Sequence, residues 1–221
     1  GVWIENSRLY IDGEFESKGH KGYGFHFNCT APNMNNSRWL NMTAYYNGRH
    51  GFYFDGTNDD ISVISLDLVA YGNGGAGIFV ADESQARQWF GLMYAEANAG
   101  DGASDQVYLG RLRASEIQVY AEENTYTSTG VELNIGALCT NLIVFDSRGN
   151  VTTNSSPKTC RIHQGGTING RGVTTYYGDV KFENMSNSAA NTGTLEYAAA
   201  FGKVAHDRIT GSPTRCLLYT S

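Results

Sequence analysis

Three acidic side chains, Asp67, Glu96 and Glu122, and four tyrosines, Tyr45, Tyr71, Tyr94 and Tyr120, carry the most suggestive chemistry in the chain. Carboxylates brought close together raise one another's proton affinity, so one can serve as acid and the other as base near neutral pH. A separation of ~5 to 5.5 Å suits glycoside cleavage with retention, and ~6.5 to 9.5 Å suits inversion. Tyrosine rings stack on the apolar faces of sugars, while carboxylates and amides take up their hydroxyls. Asp67, Glu96 and Glu122 are therefore the candidate catalytic residues. Tyr45, Tyr71, Tyr94 and Tyr120, with Asp146 and Arg148, are the candidate residues for binding a polysaccharide. They lie far apart in sequence, so only a repeating fold can gather them.

Such a repeat is present. Asparagines recur at Asn47, Asn73, Asn98, Asn124 and Asn150, at intervals of 26, 25, 26 and 26 residues. Three residues before each stands Ala44, Ala70, Ala95, Ala121 or Ser147. Five before stands Met42, Leu68, Met93, Val119 or Phe145, and seven before Leu40, Leu66, Gly91, Ile117 or Ile143. Alternation at period two marks strands with one buried face. Because the same face returns once per repeat, each strand must stack in parallel on its own copies. A second short strand follows the asparagine, with inward positions Phe52, Ile78, Val107 and Val131, then Phe54, Val80, Leu109 and Leu133. An earlier coil holds Phe15, Ser17, Phe25 and Phe27, with His20 in place of the asparagine. Asparagine suits the bend because it tolerates left-handed backbone and because stacked amides can bond between coils. That column is read as structural.

The expected fold is all-β: a right-handed single-stranded parallel β-helix of about 26 residues per coil. Leucine-rich repeats would show a denser leucine pattern, and propeller blades are longer. In this register the outward positions two before each asparagine are Tyr45, Tyr71, Glu96, Glu122 and Arg148. Those four before are Thr43, Val69, Tyr94, Tyr120 and Asp146, and those six before Asn41, Asp67, Leu92, Gln118 and Val144. Neighbours in a column should sit one strand spacing, ~4.8 Å, apart. A second outward column, His26, Tyr53, Phe79 and Tyr108, is expected to serve packing or subunit contact.

Residues 1–150 form the expected β-helix body, interrupted by a loop at 28–37 and a shorter insertion at 101–105. Residues 151–215 read as a less regular continuation, with helical composition over Leu195–Ala205. The last six residues, 216–221, read CLLYTS, which resembles the translated end of a sequencing-library transposon and is taken as adapter artefact. A first residue that is Gly rather than Met is consistent with a start inside a longer protein. Net charge is -6 with no Lys or Arg run, which argues against a nucleic-acid partner. No apolar run reaches the ~18 residues of a spanning helix, so membrane insertion is not expected. Four cysteines without a CxxC pair argue against a zinc site, and no metal or cofactor is expected.

The stretches AYYNGRHGFYF from Ala44, AYGNGGAGIFV from Ala70 and AEENTYTSTGVEL from Ala121 resemble coils of the pectate-lyase-like β-helix superfamily, phage tailspike and tail-fibre domains in particular. The resemblance covers roughly residues 11–150. It implies an extracellular or virion-associated protein that binds a bacterial surface polysaccharide, with or without cleaving it, and for which a homotrimer is one assembly open to it. A secreted polysaccharide lyase or hydrolase, and a non-enzymatic adhesive shaft, are the alternatives, because coils of this kind serve all three. The polygalacturonase-like site does not carry over: Asn58-Asp59-Asp60 and Arg49-His50-Gly51 stand in the wrong order and Arg-x-Lys is missing. Asp55, Asp59 and Asp60 beside Arg49 read as turn residues rather than a calcium site.

Overall fold

The computed structural model describes residues 1–5, 8–30, 34–57, 61–122, 130, 132–136, 138–146, 151–153, 161–168, 173–177, 179–187, 194–198, 205–206, 209–210 and 216–218, with side chains as far as Phe145. The strands of the first coils are β1 (Val2–Glu5), β2 (Tyr10–Lys18), β3 (Phe25–Asn28), β4 (Ser37–Tyr45), β5 (Phe52–Asp55), β6 (Ile61–Tyr71) and β7 (Ile78–Val80). Next come β8 (Ala86–Arg87), β9 (Phe90–Glu96), β10 (Val107–Leu109), β11 (Leu112–Glu122), β12 (Leu133–Ile135) and β13 (Thr140–Asp146). The remainder are β14 (Val151–Thr153), β15 (Arg161–Ile168), β16 (Val173–Tyr177), β17 (Asp179–Asn187), β18 (Thr194–Ala198), β19 (Ala205–His206), β20 (Ile209–Thr210) and β21 (Cys216–Leu218).

Among the described residues, β1, β3, β5, β7, β10, β12 and β14 form one sheet, and β2, β4, β6, β8, β9, β11, β13, β15, β17, β19 and β20 a second. Strands β16, β18 and β21 form a third. Every pairing is parallel, and the coils stack as a β-solenoid of about five turns with about 26 residues per turn. The expected fold class is therefore the observed one. Over 195–198 the helical expectation is overturned, since β18 is a strand between β16 and β21; residues 199–204 of that span lie outside the described residues. Parallel pairing with neighbouring coils overrides a local propensity worth only tenths of a kcal/mol per residue.

The inward columns explain the core. Met42, Leu68, Met93 and Val119 are fully buried, as are Phe25, Phe52, Ile78, Val107 and Leu133 in the facing sheet. Rings stack along the axis: Phe25 on Phe52 at 5.1 Å, and Phe27 on Phe54 at 4.7 Å. Trp39 and Trp89 both pack on Phe54, and the Trp89 indole N–H donates to Ile61 O at 2.7 Å. Burying such a side chain stabilises the fold by roughly 1.5–3 kcal/mol. Ala44, Ala70 and Ala95 are small because they face glycines: a Cβ at Gly77 would come within 3.0 Å of the Cβ atoms of Ala70 and Ala95.

Three register expectations and one burial expectation need correction. Trp39, not Leu40, pairs with Leu66, because the ladder is irregular between Trp39 and Met42 where Asn41 takes a φ of 55°. Phe15 pairs with Met42 but is 38% exposed, since it lies at the open first coil. In the short-strand sheet, Val107 pairs with Leu133 rather than Val131, a two-residue shift that preserves the inward face. In β13 the shift is a single residue. Gln118 pairs with Phe145 and Val119 with Asp146, so Leu142 and Val144 are buried while Phe145 is 40% exposed. The left-handed residues Ala114 and Asn141 are one residue further apart than Gln88 and Ala114, and one extra residue exchanges the two faces of a strand.

The asparagine column is a buried amide ladder. Asn47 donates from its backbone and its side chain to Asn73 Oδ1, at 3.1 and 2.9 Å, and Asn73 repeats this to Asn98 Oδ1 at 3.0 and 2.8 Å. Each amide also donates to a carbonyl of the preceding coil, of Ser17, Ala44 or Ala70. His20 N–H reaches Asn47 Oδ1 at 3.1 Å, so the histidine coil enters the ladder through its backbone. Asn124 and Asn150 lie outside the described residues. The left-handed residue at this corner is not the asparagine but the one before it: Gly19, Tyr46, Gly72 and Ala97, with φ of 70°, 55°, 62° and 53°. The asparagine is selected for its amide, and the bend is made by its predecessor.

Candidate functional site

The outward face of the long-strand sheet brings most of the expected residues together. Along one column the strand registers place Lys18, Tyr45, Tyr71, Glu96 and Glu122. The adjacent column holds Glu16, Thr43, Val69, Tyr94 and Tyr120. The tyrosines thus change column between β6 and β9, and each carboxylate column is bordered by tyrosines.

Within this face the side chains pair locally. Tyr94 and Tyr120 donate their hydroxyls to Glu96 and Glu122, two residues along the same strand. Their rings stack on each other, 4.7 Å between centroids and 5° from parallel. Tyr45 donates to Glu16 Oε2 at 3.0 Å, with Lys18 Nζ 4.9 Å over its ring. A glutamate that accepts the hydroxyl's hydrogen bond is a poor neighbour for a phenolate. The Tyr94 pKa is raised well above its ordinary value, first by the hydrogen bond to Glu96 and then by burial, and that of Tyr45 is raised by its bond to Glu16. Tyr94 and Tyr45 therefore remain hydrogen-bond donors at neutral pH.

Stacking has a geometric consequence. Rings piled along the solenoid axis cover part of each other's faces, so Tyr94 and Tyr120 are better placed to offer edges and hydroxyls than open faces. Ring surface is more open at Tyr71, 38% exposed, which pairs in register with Glu96. Beside Tyr71 lies Tyr46, 54% exposed, with centroids 5.3 Å apart and the rings edge to face.

Asp67 shares the face but pairs with Leu92. It lies four residues along β6 from Tyr71, roughly 13 Å at strand rise, with Val69 between them. The structure does not bring it against the Glu96–Glu122 pair. Asp146 pairs with Val119 instead of Tyr120, through the one-residue shift in β13, and Arg148 lies outside the described residues. Asp59 and Asp60 also lie outside them. Among the described residues no group of three or more His, Cys, Asp or Glu side chains could hold a metal ion.

The second outward column is present as expected and longer. Trp3, His26, Tyr53, Phe79 and Tyr108 align in register, with Tyr23 and His50 between them. His50 stacks on Phe79 at 4.7 Å and accepts the Ala76 N–H at 2.8 Å through Nδ1. His26 Nε2 lies 3.0 Å from Asp55 Oδ1. These interlocked rings account for the column as packing.

Sequence reasoning missed Tyr46, Gln106, Tyr23 and His50. For Tyr46 the signal was available, since it occupies a corner position that is glycine at Gly19 and Gly72. Comparison of the chain with protein-family models, with curated proteins and with solved structures finds no match.

Proposed function

We propose that the long-strand face binds an extended polysaccharide, with Tyr71, Tyr94 and Tyr120 and the carboxylates of Glu96 and Glu122 as its contact groups. The observation that carries this reading is the pair of tyrosine hydroxyls fixed on glutamates in adjacent coils. A carboxylate held by a neighbour's hydroxyl is an oriented acceptor, and orienting acceptors in advance lowers the cost of capturing flexible sugar hydroxyls. Repetition at the coil spacing offers equivalent contacts to successive residues of one extended glycan. The tailspike-like resemblance of the coils supports an attachment protein, virion-associated or otherwise extracellular, acting on a bacterial surface glycan.

The experiment is an array of purified capsular and lipopolysaccharide glycans probed with the wild-type chain. Signal on a restricted subset is expected; a blank array overturns the reading. For any glycan bound, release of reducing ends tests cleavage, and Glu96→Gln or Glu122→Gln should lower turnover about a hundredfold or more while leaving binding largely intact. Unchanged turnover in both variants moves the chemistry elsewhere.

A second reading, a shaft without chemistry, draws on the closure of Tyr94, Tyr120, Glu96 and Glu122 upon one another. The Tyr94–Tyr120 stack is a cross-strand pair, and such pairs stabilise a sheet in their own right, by roughly 0.2–1 kcal/mol each.

A further inference from the structure

Tyr46 stands where the solenoid favours glycine. It occupies the corner immediately before a ladder asparagine, and in every described coil that residue is left-handed: Gly19, Tyr46, Gly72 and Ala97. A bulky side chain is strained at a positive φ, and such strain persists only where the surroundings impose it or a function uses it. The next coil makes room for the ring. A Cβ at Gly72 would lie 2.7 Å from Tyr46 Cε1 and 2.8 Å from Cδ1, so any residue but glycine there would displace it. Tyr45 and Tyr71 flank the ring edge to face, at 5.7 and 5.3 Å. Despite this seat Tyr46 is 54% exposed, so it buries too little apolar surface to be explained as core.

We propose that Tyr46 is a sugar-stacking residue that extends the glycan-binding face from the strands onto the corner of the solenoid, beside Tyr71. The ligand it takes is a pyranose ring, whose apolar C–H face suits an open phenol ring and whose hydroxyls lie within reach of Glu96 across Tyr71. This inference rests on the proposed glycan-binding reading, and it adds a residue that reading does not contain. The Tyr46 phenol beside it raises the Tyr71 pKa, in keeping with the 5.3 Å contact between the two rings.

The test is the pair Tyr46→Gly and Tyr46→Phe, measured by urea unfolding and on the same array of capsular and lipopolysaccharide glycans. Glycine relieves the left-handed backbone and removes the ring; phenylalanine keeps the ring. For Tyr46→Gly the expected result is a urea midpoint no lower than wild type together with binding weakened roughly three- to tenfold, the loss of one stacking contact. Tyr46→Phe should bind within about twofold of wild type. A Tyr46→Gly variant with a clearly lower midpoint would make Tyr46 a packing residue and overturn the proposal. Full stability with unchanged binding would overturn it as well, while leaving the strand face as the glycan site. A wild-type chain that binds nothing on the array would remove both.

Discussion

Gln106 receives the amide ladder from Asn98: its Oε1 accepts the Asn98 backbone N–H at 2.8 Å and the side-chain amide at 3.2 Å, while its Nε2 donates to Asn98 O at 3.0 Å. Both residues are 1% exposed. In the preceding coils the residue at this strand entry is glycine, Gly51 or Gly77, and the insertion at 101–105 separates Asn98 from it. Gln106→Ala would therefore leave two buried donors and a carbonyl of Asn98 without these partners. The expected cost is about 1–3 kcal/mol, because the penalty is that of unmet buried polar groups and not of one average hydrogen bond. Urea unfolding measures it, and a loss below a few tenths of a kcal/mol would show that water replaces the glutamine.

The tight corner beside the ladder predicts intolerance of a single methyl. At Gly77 an added Cβ would lie 2.6 Å from Asn98 Nδ2 and 3.0 Å from two alanine Cβ atoms. All three neighbours are buried in strands or in the ladder, so none can swing aside. Gly77→Ala should destabilise by roughly 1–3 kcal/mol, as overpacking does. The same change at Gly22, where nothing lies within 4 Å of the added Cβ, should be close to neutral and serves as its control in the same unfolding series.

The coil period, the buried alanine column and the first three rungs of the ladder were legible in the sequence because they depend on residue type at fixed spacing. The shift in β13 was not, because Ile143, Val144 and Phe145 are all apolar and either face of the strand reads as a core. Only the backbone, left-handed at Asn141, decides between them. Glu96 and Glu122 were placed correctly in one column by counting, yet their bonds to Tyr94 and Tyr120 run along single strands and change what the carboxylates can do. Spacing locates a residue on a face; it does not say which neighbour its side chain chooses. Tyr46 does not stand out in the sequence because asparagine is the residue type that signals a bend, whereas the left-handed residue is the one before it.

His50 predicts acid sensitivity. Burial lowers its pKa from 6.5 to about 4, with Asp101 opposing and Arg49 reinforcing the shift. A histidine whose folded pKa is depressed takes up its proton more readily when unfolded. Its contribution is fully present above about pH 6.5 and is lost as pH falls towards 4, over which span it is worth up to about 3 kcal/mol. His50→Phe keeps the stack on Phe79 and Tyr53, loses the acceptor for Ala76 N–H, and removes this titration. Its stability at pH 7 should be lower than wild type, but the drop between pH 7 and pH 4.5 should be smaller. Equal drops in the two proteins, followed by urea midpoint, would assign the acid sensitivity to carboxylates instead.

The tyrosine hydroxyls on Glu96 and Glu122 can be removed without removing the rings. Tyr94→Phe and Tyr120→Phe keep the 4.7 Å stack and leave each glutamate without its same-strand donor. A half-buried hydrogen bond to a charged acceptor contributes about 1.5–3 kcal/mol at most, and solvent exposure reduces it, so each variant should lose about 1 kcal/mol or less of stability. The effect on glycan binding should be larger in proportion. If the hydroxyls hold the carboxylates in position for sugar hydroxyls, the double variant should weaken binding about tenfold, and Glu96→Gln should bind better than Tyr94→Phe because an amide oxygen can still accept a hydrogen bond from the phenol. Binding that is unchanged in the double variant while stability falls would assign the tyrosine–glutamate pairs to holding the sheet together, the role a bare shaft requires of them.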